Sequence, residues 1–137
     1  MAGTVLGPGQ GRDWAMGRIG ATFKADAAET GGRSSVSEWR LEPDCAGPGA
    51  HRHEAEDEVF YVLAGQPSVL VGDTWHRLKP GACVYVPAGV MHDFCNPGAE
   101  AAVLLNVFIG AGFEKDMPMV SAWFAENPVG AAPEAAG

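Results

Sequence analysis

The chain has 137 residues, a formal net charge of −8, 47% apolar residues, 19 glycines and 10 prolines. That length makes one domain with a core of its own. The acidic balance excludes the basic stripe of a nucleic-acid site and attraction to an anionic membrane surface. So many turn-formers beside so much apolar content argue against disorder and for an all-β domain of short strands and tight loops.

Residues 1–14 are glycine-rich without periodicity and read as an N-terminal arm, lacking the basic and apolar blocks of a secretory signal. The domain proper is expected over 15–126. A first strand is predicted at 19–24 and a turn at 26–32. Over 33–42 the pattern has period two, with Ser35, Ser37, Trp39 and Leu41 on one face and Glu38, Arg40 and Glu42 on the other. Residues 43–50 break that strand with Gly47, Pro48 and Gly49. Strands follow at 51–53, 58–63, 68–71, 75–78, 83–86, 91–95 and 103–109, spaced by turn signals as in a sandwich or barrel. One helix is predicted at about 112–126, because Phe113, Met117, Val120 and Phe124 share a helical face. Residues 127–137 read as a flexible tail.

No apolar run approaches the roughly 18 residues of a membrane span. Cys45, Cys83 and Cys95 are odd in number and lack CxxC spacing, so a reduced, cytoplasmic setting is expected. Cys83 and Cys95 read as small core residues, and His76 as a surface hairpin residue. The outward positions Val59, Tyr61 and Leu63, with the apolar run at 103–109, exceed what one small barrel buries and predict a homodimer.

The chemistry concentrates in three of the four histidines and one acid. His51 and His53 are two apart, so on an extended chain both imidazoles project from one face. Glu58 follows an acidic turn, and His92 opens a later strand. Three imidazoles and one carboxylate suit one borderline divalent ion, Fe, Ni, Mn, Co or Zn. Strand parity places Phe60 and Val62 inward with Glu58, Phe94 inward with His92, and Ser35, Ser37 and Trp39 inward on the earlier strand. These six form the expected substrate pocket, mostly apolar and suited to a small, planar, oxygen-bearing molecule.

The spacing around these residues is ordered. Residues 51–65 read His-X-His, four residues, Glu58, six residues, Gly65. Residues 81–96 read Gly81, five residues, Pro87-X-Gly89, two residues, His92, three residues, Asn96. Both spans resemble the two signature motifs of the cupin superfamily. One position departs: the glycine six places before His-X-His is Cys45 here, so Gly47 and Gly49 are expected to supply that turn. The stretch from 103 through Gly112-Phe113-Glu114 is similar to the end of small quercetin 2,3-dioxygenase-like cupins.

The resemblance implies a single jelly-roll β-barrel with a short C-terminal helix, and His51, His53, Glu58 and His92 as metal ligands. It implies a dioxygenase-type oxidoreductase acting on a small enol, phenol or flavonol-like substrate and O2, with Glu58 both ligand and catalytic base. The same site would also serve an O2-independent isomerase, cyclase or lyase, a non-catalytic binding module, or a structural zinc.

Overall fold

The structure, a computed structural model, describes residues 2–137. The elements are β1 (Arg12–Met16), β2 (Ile19–Ala25), α1 (Ala27–Thr30), β3 (Ser34–Leu41), β4 (Asp57–Ala64), β5 (Ser68–Val71), β6 (Thr74–Arg77), β7 (Cys83–Val86), β8 (His92–Cys95), β9 (Ala102–Ile109) and α2 (Met117–Glu126). They form two antiparallel sheets, one of six strands in the order β1-β2-β3-β9-β4-β7 and one of three in the order β6-β5-β8. One apolar core takes Trp39, Leu41, Phe60 and Leu104 from the larger sheet and Val69 and Phe94 from the smaller. This is the all-β jelly roll with one short C-terminal helix.

Alternation in the sequence decides which side chains reach that core. In β3, Ser35, Ser37, Trp39 and Leu41 are buried; in β4, Glu58, Phe60 and Val62 are buried while Tyr61 and Leu63 are exposed. β9 lies between β3 and β4 and buries Ala102, Leu104, Asn106 and Phe108. Its register sets Asn106 beside Ser37 on one side and Phe60 on the other. Cys83 is exposed rather than in the core, whereas Cys45 and Cys95 are buried; all three thiols are free.

Four segments differ from the sequence expectation. The N-terminal arm ends in a strand, since β1 pairs with β2 from Arg12 to Met16, and only Met16 of its five residues is buried. An edge strand that buries one side chain leaves no period-two signature to read. The expected turn at 26–32 contains α1, closed by Gly31 in the left-handed conformation at φ 67°. Residues 51–53 are not a continuous strand: His51 makes a single bridge to His92, and Cys45 another to Asn96. Gly47 lies so close to β8 that a Cβ there would sit 1.5 Å from the Phe94 carbonyl oxygen, which only glycine tolerates. The expected flexible tail, 127–137, folds back instead: Ala46 N donates to the Gly130 carbonyl, Ser68 Oγ donates to the Ala136 carbonyl, and Ala136 is buried.

The C-terminal helix follows the predicted face. One 3-10 turn (Glu114–Asp116) leads into α2, and Pro118 sits in the first turn, where its missing N–H has no helical partner to lose. Met117 and Phe124 are buried, with Phe113 and Val120 packed against the core. Asp26 Oδ1 accepts from Phe113 N at 2.8 Å and Glu114 N at 3.1 Å, and Arg12 pairs with Glu29 at 2.7 Å and Glu114 at 2.8 Å. The C-terminal segment is thereby fixed to the start of the larger sheet.

Candidate metal centre

Each of the four donors is aimed by backbone structure. The reciprocal bonds His51 N to His92 O, 2.9 Å, and His92 N to His51 O, 2.8 Å, set these residues opposite each other, so their side chains share a face. His51 Nδ1 lies 2.7 Å from the Gly49 carbonyl oxygen, and His92 Nδ1 lies 2.9 Å from that of Val90. A carbonyl can only accept, so Nδ1 carries a hydrogen in both rings, which leaves Nε2 as the nitrogen turned inward and able to coordinate once it carries no proton. Gly49 is held in turn: its N–H donates to Asp93 Oδ1 at 3.2 Å, on the reverse of β8 from His92. Burial pushes the Asp93 carboxyl up to about 6 despite backbone donors.

Glu58 comes from the inward face of β4. Its Oε1 is 2.9 Å from His53 Nε2 and 3.3 Å from His92 Nε2, while Oε2 accepts from Asn106 Nδ2 at 2.9 Å. Burial alone would raise its pKa, but the contacts with His53, His92 and Asn106 outweigh that and hold it down at about 2. Burial pulls His51 down; His92 feels the same pull, but the carboxylate of Glu58 overrides it and raises His92.

The donor atoms of His51, His53, Glu58 and His92 lie within 4.8 Å of one another. His53 Nε2 is buried and makes no hydrogen bond of acceptable geometry, in spite of its nearness to Glu58. An uncommitted nitrogen facing three further donors is satisfied by a shared cation, and the set fits a borderline divalent ion. Such an ion competes with protons for the imidazole nitrogens, so its affinity falls as the pH is lowered.

A cavity of about 140 Å³ adjoins His51, His53 and Glu58. Its other walls are Met16, Trp39, Pro48, Phe60, Phe94, Asn106, Phe108, Phe113, Val120 and Phe124. Trp39 packs edge-on against Phe94, with ring centroids 5.8 Å apart.

The cupin-domain family matches residues 37–108, just over half of the chain and spanning all four donors. The chain belongs to the cupin family. This cupin is 36% identical over 56 residues to an uncharacterised protein of Streptomyces coelicolor, a match covering 41% of this chain and 53% of that protein. It is 38% identical over 82 residues to the acireductone dioxygenase of Leishmania major, covering 56% of this chain and 21% of that enzyme. The chain thus spans about half of the first relative and a fifth of the second. A solved structure from Thermus thermophilus superposes with a TM-score of 0.54 at 35% identity, covering 57% of this cupin and 73% of that chain.

Of the six expected pocket residues, Trp39, Phe60 and Phe94 line the cavity. Ser35, Ser37 and Val62 are buried but do not line it; Ser37 Oγ accepts from Trp39 Nε1 at 2.9 Å instead of facing a ligand. Parity identifies the inward face of a strand but not the level along it at which the cavity opens. Asn106 and Phe108 had a signal, the alternation along β9. Met16 and Pro48 had none, since they reach the cavity only through the packing of β1 and the β3–β4 connection.

Proposed function

We propose that this cupin is a mononuclear metal-dependent dioxygenase of the quercetinase-like kind, acting on a small enol or phenol. The observation that carries the reading is the convergence of His51, His53, Glu58 and His92 beside a cavity that the first three line and whose remaining wall is almost wholly apolar and aromatic. The partial likeness to acireductone dioxygenases supports it. The ion would supply Lewis acidity and, as Fe, Ni, Mn or Co, redox chemistry. The chain supplies the rest. The aromatic wall excludes water and receives the substrate body; an apolar cavity of about 150 Å³ holds benzene, so one ring fits and the further rings of a flavonol would extend past the wall. Glu58 Oε1 faces the imidazoles, and Oε2, which accepts from Asn106 Nδ2, keeps a second lone pair to take the substrate hydroxyl proton.

The free, exposed thiol of Cys83 suits a reducing, cytoplasmic setting, and the exposed Tyr61, Leu63 and Ile109 on the outer face of the larger sheet suit a homodimer. No helix among the described residues is long and apolar enough to cross a membrane. The test is oxygen uptake by the metal-loaded protein over a panel of one-ring phenols and enols. Consumption that tracks metal occupancy is expected. Equal turnover under strict anoxia would replace the dioxygenase with an isomerase, cyclase or lyase.

A further inference from the structure

Apart from His51, His53 and Glu58, the cavity wall carries two side chains with nitrogen or oxygen atoms, Trp39 and Asn106. Trp39 Nε1 is committed to Ser37 Oγ at 2.9 Å. Asn106 is 8% exposed and uses its amide nitrogen twice, toward Glu58 Oε2 at 2.9 Å and toward the Val59 carbonyl at 3.5 Å. Both acceptors are oxygens without hydrogens, an ionised carboxylate and a carbonyl, so the nitrogen must face them and the amide cannot be turned over. Its Oδ1 accepts no hydrogen bond among the described residues. In a nearly apolar cavity, an acceptor of this kind favours an occupant that brings a donor.

We infer that Asn106 selects the substrate: its Oδ1 accepts a hydrogen bond from a hydroxyl on the substrate, beside the oxygen that approaches the four donors. This rests on the reading that a small oxygenated molecule occupies the cavity next to a bound ion. The class it defines is a one-ring or similarly small neutral body with two neighbouring oxygens, at least one still protonated, such as a catechol or a hydroxy-enol. A dicarboxylate is disfavoured, since it presents only acceptors to Oδ1 and no Lys or Arg lines the cavity to receive its second charge. Asn106 has a positioning role as well. By holding Oε2 it leaves Oε1 as the single oxygen of Glu58 turned to the imidazoles.

Selection and positioning separate in one cycle. Binding of catechol and of 2-methoxyphenol, which lacks the second hydroxyl donor, is measured calorimetrically on zinc-loaded wild type and Asn106→Leu, with zinc content determined after each titration. The wild type is expected to prefer catechol. That preference should fall by roughly 3- to 10-fold in Asn106→Leu, the value of one net hydrogen bond. A purely structural role would weaken both probes equally, so an unchanged preference with zinc retained overturns the inference. If Asn106→Leu does not fold, a crystal structure of the zinc-loaded wild type with catechol decides: a ring hydroxyl within about 3.2 Å of Oδ1 supports it, and any other placement overturns it. Zinc has no redox chemistry, so this preference stands or falls whether or not oxygen uptake is found. Failure of both probes to bind overturns this inference and the reading of the cavity together.

Discussion

The two ends of the cavity are built in different ways. At the polar end, His51, His53, Glu58 and His92 fall within 42 positions of sequence, and backbone carbonyls or neighbouring strands aim each of them. At the apolar end, Met16, Trp39, Phe94, Phe113 and Phe124 are drawn from segments spread over 109 positions, and contacts such as Asp26 to Phe113 hold the outermost of them together. The chemistry is therefore locally encoded, whereas the volume it acts on is a product of long-range packing. Damage at one end should leave the other largely intact.

The largest effect is expected at Glu58. Glu58→Gln keeps an oxygen for the imidazoles but loses the base, so activity should drop on the order of 10²- to 10⁴-fold, with metal occupancy falling far less. Metal analysis beside steady-state kinetics checks this; a metal-replete Gln variant with full activity would remove the base role. At the opposite end, Phe124→Ala should destabilise the fold by about 3–5 kcal/mol, because an 8%-exposed ring is removed from a packed wall. Denaturant titration gives that number, and zinc binding at neutral pH should survive. Loss of zinc in proportion to stability would show that the ends are not separable.

Asp26 joins the C-terminal segment to the larger sheet, so Asp26→Ala should cost about 2 kcal/mol. Burial opposes the Asp26 charge, yet the backbone donors of Ala27, Phe113 and Glu114 outweigh it and lower the pKa in the folded state. A lowered folded pKa gives stability that is present above the unfolded value of about 3.9 and is lost as pH falls through the folded one. The gap between wild type and Asp26→Ala should therefore be constant near pH 7 and close in acid; a gap that widens below about pH 4 would contradict the assignment. The smallest effect on the site concerns the outer sheet face. Leu63→Asp should convert a dimer to a monomer in light scattering with little change in zinc affinity, and a monomeric wild type would remove the dimer.

What can be read in the sequence follows the same division. Strands that bury every second residue, such as β3 and β4, announce themselves, and the spacing of His51, His53, Glu58 and His92 points to the site. β1 buries only Met16 and carries no such period, and the tail after Asn127 is ordered by single bonds from Ala46 and Ser68 that composition cannot show. Asn106 escapes notice because it sits in an otherwise apolar strand, where its alternation with Leu104 and Phe108 looks like core.

Binding of one divalent ion by the four donors is tested most directly at His53, because its Nε2 has no other bonded partner. Zinc affinity by chelator competition, for wild type and His53→Ala, should give one tightly held ion per wild-type chain. The variant should lose more than the roughly 10- to 100-fold typical of losing an outer-shell partner. A wild type that binds no ion, or a His53→Ala protein that binds zinc as tightly, would contradict it.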